Sequence, residues 1–250
     1  MSQYKANNSY VIFLSIVAAL GGILFGYDTG VISGTTATVS AQFALNEISK
    51  GWYVGCALVG TILGVAVAGL MSDYLGRKIT MIIAAIFFSV SAIGCCICIG
   101  FQDLVLYRII GGVGIGIVSI VSPIYISEVS PAKIRGTMVS LYQLAITLGL
   151  LLSYLVNFII LKNSETSLLQ GWLETVFVSE YWRGMLGSET FVALLFFLIL
   201  FFIPESPRWL MVKGQENRAF EVFRRLMTSK EGDMAELNAT KANISGNSTI

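Results

Sequence analysis

Two ionisable residues stand inside long apolar stretches of this 250-residue sequence, and their types suit proton chemistry. Asp28 is the only charged residue between Tyr10 and Val39, and Arg108 lies near the start of a later apolar stretch. A charge within a membrane-spanning helix is costly, so it faces protein or water, has a partner and is a candidate functional residue. Because the chain contains no histidine, an intramembrane proton relay would have to use a carboxylate such as Asp28.

The depths of these two charges predict that they pair. Asp28 lies roughly 10 Å below the outer surface on an outward-running helix, and Arg108 lies roughly 8 Å below it on an inward-running helix. Two interpretations of such a pair remain open. It is either a static ion pair that fixes helix packing, or a carboxylate that is protonated and deprotonated in turn while the arginine tunes its proton affinity.

A second group of charges flanks the turns on one side of the predicted helices. Its members are Asp73, Arg77, Lys78, Glu128, Arg135, Glu205 and Arg208. Within it, Asp73 is predicted to cap the third membrane helix, while Arg77 and Lys78 anchor the turn at the anionic inner leaflet. Acid and base pairs of this kind would hold helix ends together in one conformational state and release them in another.

The residue patterns of enzymes are missing from the sequence. Without histidine there is no H-E-x-x-H metal site, and no G-x-S-x-G motif occurs. The four cysteines lie within apolar runs and are expected to pack as small apolar residues; they are Cys56, Cys95, Cys96 and Cys98. The glycines between Gly111 and Gly116 have no preceding strand, so they predict close helix packing instead of a dinucleotide loop. We therefore expect no enzyme activity, catalytic residue, metal, cofactor or nucleic-acid partner.

Composition indicates an all-α membrane protein that positions these charges. The chain is 55% hydrophobic and 12% charged, whereas a soluble domain carries about 25% charged residues. Six apolar runs have the length that a bilayer requires. We place these spans at about 10–35, 52–72, 79–100, 104–127, 137–161 and 184–203. A polar outer loop from Thr36 to Gly51 and a polar segment from Lys162 to Tyr181 are expected between spans, and Pro204 is expected to end the sixth.

The charges of the connecting segments predict the orientation of the bundle. Twelve lysines and arginines fall on one side, against Lys50 and Lys162 on the other with Arg183 at the mouth of the sixth span. By the positive-inside rule both termini are cytoplasmic, and the protein lies in the plasma membrane (the inner membrane of a bacterium). Residues 1–204 thus form the bundle, and 205–250 form a cytoplasmic linker with an amphipathic helix over Glu216–Met227 and a disordered end after about Ser229.

Several motifs that follow one another along the chain resemble the sugar porters of the major facilitator superfamily. They are GGILFGYDTGVISG, the GxxxDxxGRK turn, YRIIGGVGIG, SPIYISEVSPAKIRG, the glutamine of SLYQLAI, and PESPRWL. The resemblance implies the N-terminal six-helix half of that fold and proton-coupled transport of a pentose or hexose by alternating access.

The resemblance also implies roles for individual residues. Asp28 and Arg108 match the proton-coupling aspartate of the symporters and its arginine partner. Phe25 and Gln143 match positions that contact the sugar. The second group of charges, from Asp73 to Arg208, matches a cytoplasmic network that stabilises the outward-facing state.

The sequence differs from the family in extent. Sugar porters have two six-helix halves with the sugar held between them, whereas this chain supplies six spans and a linker. The expected partners are therefore a sugar, a proton, the lipid bilayer and a C-terminal six-helix half. The alternative is a truncated, non-transporting fragment, or half of a facilitative carrier in which the pair between Asp28 and Arg108 is structural.

Overall fold

The computed structural model describes residues 7–164, 171 and 174–227, and these residues are almost entirely helical. The first six helices are α1 (Asn8–Gln42), α2 (Glu47–Leu75), α3 (Arg77–Ile97), α4 (Phe101–Val129), α5 (Arg135–Ser164) and α6 (Tyr181–Leu200). A π-helical turn, Thr175–Ser179, precedes α6, and two shorter helices follow it, α7 (Pro207–Val212) and α8 (Glu216–Leu226). Each predicted span corresponds to one of the first six helices, all of which are long and apolar enough to cross a membrane.

The predicted outer loop from Thr36 to Gly51 is wrong. Helix α1 continues to Gln42 and α2 begins at Glu47, so residues 43–46 alone connect the two helices. Because α1 rises about 1.5 Å per residue, its end lies roughly 20 Å beyond Asp28 and projects past the apolar part of the bundle.

Polar side chains in the last turns of α1 explain why this segment is helical. The Thr35 and Tyr53 hydroxyls are hydrogen-bonded at 2.8 Å between α1 and α2. The Trp182 indole N–H donates to Gln42 Oε1 at 2.6 Å, and Gln42 Nε2 donates to Glu180 at 2.6 Å. These polar residues therefore join neighbouring helices instead of forming a solvated loop.

Glycines bring two pairs of helices into backbone contact. On α1 they recur at every fourth position along the face that meets α5, as Gly22, Gly26, Gly30 and Gly34. On α2 and α4 the facing residues are Gly60, Gly64, Gly112 and Gly116, and a Cβ added to any of these four would overlap the partner backbone. The predicted packing role of the α4 glycines is thus confirmed, in line with the small-residue interfaces of membrane helices.

The segment after the bundle folds back against the end of the bundle at which α6 stops. Helix α6 ends at Leu200, four residues before Pro204, whose carbonyl accepts a hydrogen bond from the Tyr125 hydroxyl at 3.0 Å. The predicted amphipathic helix is confirmed as α8, and the amide of Asn7 donates to the carbonyl of Leu226 at 2.8 Å. The predicted disordered end after Ser229 lies outside the described residues.

We expect Gly26→Ala to lower the free energy of unfolding by about 1–3 kcal/mol, because overpacking a filled helix contact costs that much. A Cβ at Gly26 would overlap the backbone carbonyl of Ile146. Gly55→Ala is the matched control, since nothing lies within 4 Å of a Cβ at that position of α2. Thermal unfolding in detergent measures both variants, and equal midpoints would contradict the glycine contact between α1 and α5.

Candidate functional site

A buried ion pair joins α1 to α4, as the matching depths predicted. Arg108 Nη1 lies 2.7 Å from Asp28 Oδ1, and Nη2 lies 3.4 Å from Oδ2. Asp28 is 6% exposed and Arg108 is 3% exposed, so water hardly reaches either charge. Two parallel N–H···O contacts fix the orientation of both groups, which a single contact would not do.

Helix geometry explains why Asp28 points towards Arg108. Asp28 lies midway between Gly26 and Gly30, which face α5. Two residues correspond to about 200° of helical rotation, so Asp28 lies on the side of α1 opposite the glycine contact. The α5 contact therefore turns the carboxylate inward, towards α4 and α6.

Glu189 on α6 is a third charged residue of this site, and the sequence analysis missed it. Its side chain is 4% exposed and interacts electrostatically with Asp28 and Arg108. Its Oε1 atom, like Arg108 Nε, has no hydrogen-bond partner among the described residues. The rule that singled out Asp28, a carboxylate inside an apolar span, applies equally to Glu189 and would have found it.

A hydroxyl pair stands directly beside these carboxylates. Tyr27 precedes Asp28 on α1, Ser188 precedes Glu189 on α6, and their hydroxyls are 2.6 Å apart. Ser188 can also donate to the carbonyl of Met185 within its own helix. The contact ties α1 to α6 at the depth at which the carboxylates lie.

The two residues that the resemblance assigns to the sugar flank the contact between α1 and α5. Phe25 is half-buried, and Gln143 is exposed. Along this contact, Gly22 meets Tyr142 and Gly26 meets Ile146, so Phe25 and Gln143 lie at similar depth. The structure brings them to one region of the helix pair, with the Gln143 side chain open to a ligand.

At the end of the bundle opposite the loop between α1 and α2, Arg77 joins the ends of three helices. Its guanidinium donates to Glu128 on α4 at 3.0 and 3.2 Å, and to Asp73 on α2 at 3.1 Å. Lys78 extends across to α6, where its ammonium donates to the carbonyl of Phe201 at 3.0 Å. These four charged residues of the predicted network are thus brought together.

The predicted cap of α3 by Asp73 is wrong. Asp73 belongs to α2, ahead of the break at Gly76, and its side chain is 74% exposed. Glu205 takes the capping position, since its Oε1 accepts hydrogen bonds from the amides of Arg77 at 2.9 Å and Lys78 at 3.2 Å. Burial raises the pKa of the Glu205 carboxyl, while the hydrogen bonds from backbone amides oppose this shift.

The two remaining arginines of the predicted network have other surroundings. Arg135 donates to the carbonyl of Ser130 at 3.4 Å. Arg208 lines a cavity of about 300 Å³ together with Asp73 and Arg77. Among the described residues, neither arginine forms an ion pair within 4.0 Å.

Comparison with known proteins extends these observations. A family model described as sugar (and other) transporter matches residues 14–249. The D-xylose-proton symporter of Escherichia coli strain K12 is 40% identical over an alignment of 252 positions, which covers 90% of this chain and 49% of the symporter. The glucose transport protein of Synechocystis is 42% identical over 222 residues, covering 89% of this chain and 47% of that protein. The chain thus spans about half the length of the curated relatives it matches.

The fold matches solved structures of the same kind. The major facilitator superfamily proton:xylose symporter XylE, bound to 6-bromo-6-deoxy-D-glucose, superposes with a TM-score of 0.86 and 37% identity, covering 96% of this chain and 54% of that one. A partially occluded, inward-open conformation of the E. coli xylose transporter gives a TM-score of 0.83 at 36% identity, covering 95% and 60%. The six membrane helices, the family model and these relatives together show that the chain belongs to the sugar (and other) transporter family.

Proposed function

We propose that the chain acts as the N-terminal six-helix half of a proton-coupled sugar transporter. The observation that carries the proposal is the buried pair of Asp28 and Arg108, with Glu189 beside it. Two carboxylates next to one arginine form a group that can gain or lose a proton inside the membrane. The relatives named as a D-xylose-proton symporter and a glucose transport protein support a sugar as the substrate.

The mechanism follows from the strength of the ion pair. Protonation of Asp28 removes one charge of the pair and weakens the hold of α4 on α1. Arg108 then keeps Glu189 as its remaining counter-charge, so the cation is not left unpaired in a medium of low dielectric constant. Binding of the proton thereby changes the free-energy difference between helix arrangements, as a coupling step requires.

The sugar is proposed to bind at the contact between α1 and α5, where Phe25 offers an aromatic surface and Gln143 offers an amide. A C-terminal six-helix half would close the other side of the site. The relatives support such a partner, since this chain covers about half of their length. Rocking of the two halves about the sugar would give alternating access.

The charge distribution supports an orientation with both termini in the cytoplasm. In that orientation, Arg77, Glu128 and Glu205 hold the inner ends of α3, α4 and α6 together. The same contacts would stabilise the outward-facing state and break when the inner side opens. Residues 205–250 are then the cytoplasmic linker towards the second half.

Asp28→Asn is expected to abolish proton-driven accumulation and to retain sugar exchange, because asparagine cannot change its charge. We would test it in the chain joined to the C-terminal half of the E. coli D-xylose-proton symporter, by xylose uptake and counterflow in proteoliposomes. Asp103→Asn is the matched control, since it makes the same chemical change at an exposed position of α4. Uphill accumulation by Asp28→Asn would contradict the coupling role.

Gln143→Ala is expected to raise the half-saturating xylose concentration of the same joined protein about tenfold, as loss of a hydrogen bond to a sugar hydroxyl costs about 1.4 kcal/mol. Gln102→Ala, at an exposed position of α4, is the control. Unchanged uptake kinetics for Gln143→Ala would remove this residue from the proposed site.

A mutant cycle within the chain itself tests the proposed charge balance. Arg108→Gln is expected to lower the free energy of unfolding by about 3–5 kcal/mol, because it leaves two buried carboxylates without a cation. Adding Asp28→Asn to Arg108→Gln is expected to recover part of that loss. Asp28→Asn alone is expected to lower the free energy of unfolding by less than Arg108→Gln does, since Glu189 remains beside Arg108.

Denaturant unfolding in detergent measures the four proteins of this cycle. If the losses of the two single variants simply add, the two residues do not interact. If Asp28→Asn lowers the free energy of unfolding as much as Arg108→Gln does, Glu189 does not act as a second counter-charge. If the cycle shows that the two residues interact but Asp28→Asn still accumulates xylose against its gradient, the pair is structural, as in the alternative.

A further inference from the structure

A cavity of about 440 Å³ lies at the cytoplasmic end of the bundle, between the start of α3 and helix α8. It adjoins the network around Arg77, since Lys78 and Glu205 of that network line it, and Trp209 lines both this cavity and the one beside Arg77. Three cationic side chains line it, Lys78 from α3 and Arg218 and Arg225 from α8. These residues come from two helices far apart in sequence, and the fold brings their positive charges to one cavity.

Two carboxylates also line this cavity, and they have different surroundings. Glu205 is engaged by the backbone amides of Arg77, Lys78 and Ser206, so its charge is directed at the start of α3. Glu221 is exposed on α8, one turn from Arg218 and Arg225. The three cations therefore exceed the charge of Glu221, and the cavity favours an anion.

The wall opposite α8 is apolar and faces outward from the bundle. Leu75 and Ile79 line the cavity and are 41% and 48% exposed, and nearby Phe202 is 77% exposed. Helix α8 is amphipathic, with its apolar face buried and its arginines outside. A space bounded by exposed apolar membrane helices and by cations at their cytoplasmic ends suits a molecule with an acyl chain and an anionic headgroup.

We propose that this cavity binds the phosphate of an anionic phospholipid from the inner leaflet. Arg218, Arg225 and Lys78 contact the phosphate, while Leu75 and Ile79 contact the start of the acyl chains. The bound lipid joins α8 to the end of α3, so it stabilises the packing of the linker helix against the bundle. The proposal does not depend on proton coupling or on sugar binding.

The test is native mass spectrometry of the 250-residue chain in a neutral detergent, titrated with phosphatidylglycerol. Arg218→Gln with Arg225→Gln is expected to weaken binding about 25-fold, since each cation near an anionic lipid surface contributes about a factor of five. Glu221→Gln is expected to strengthen binding, because it removes an opposing charge from the cavity wall. This second variant keeps the test informative if the double variant folds poorly.

Arg224→Gln is the matched control, since Arg224 is exposed on the same helix but does not line the cavity. We expect it to bind phosphatidylglycerol as the unmodified chain does. A loss of about fivefold for Arg224→Gln, the same loss per cation as in the double variant, would overturn the proposal in favour of diffuse surface attraction. Equal binding of phosphatidylcholine would show that the anionic charge is not recognised, and saturation by glycerol 3-phosphate alone would assign the site to a soluble phosphate; either result overturns it.

Discussion

The ion pair between Asp28 and Arg108 is the constraint on which the arrangement of this bundle depends. Either charge alone would be strongly unfavourable in the apolar interior, and each is tolerated because the other lies within 2.7 Å. Helices α1 and α4 must therefore meet at one depth and in one rotation. Neighbouring helices must also exclude lipid from this contact without separating the two charges.

Glycine satisfies that requirement on both sides of the pair. Gly26 and Gly30 let α5 approach the rear of α1, and Gly112 and Gly116 let α2 approach α4. Because lipid tails are as apolar as the helix surfaces, close backbone contact supplies the packing attraction that the hydrophobic effect does not. Larger residues at these positions would move α1 and α4 relative to each other and lengthen the ion pair.

Much of this arrangement could be predicted from the sequence, because one physical rule covers it. Long apolar runs predicted six helices, and charges at equal depth in two of them predicted the contact between Asp28 and Arg108. The same rule applies to Glu189 on α6, which the sequence analysis did not include. The length of α1 could not be predicted, since threonines and glutamine favour a loop unless their partners on α2 and α6 are known.

The cap of α3 shows a different limit of sequence patterns. Asp73 lies close to α3 in sequence and satisfied a local capping pattern, whereas Glu205 is 128 residues from Arg77 along the chain. A carboxylate so distant is brought to the start of α3 by the return of α6, which only the fold determines. Glu205 consequently ties the end of the sixth span to the start of the third, and its raised pKa reflects the burial that this position imposes.

Helix α4 connects the two charged regions of the protein. Arg108 in its N-terminal third binds Asp28, and Glu128 at its C-terminal end binds Arg77. The twenty residues between them span about 30 Å of continuous helix, so a shift of α4 at one end displaces the partner at the other. Pro123 lies between these contacts, and its missing N–H removes one backbone hydrogen bond of α4. A helix bends most easily at such a position. In the proposed mechanism, proton binding at Asp28 would be transmitted to Glu128 through this single helix, and a bend at Pro123 would set how much of the shift reaches Glu128.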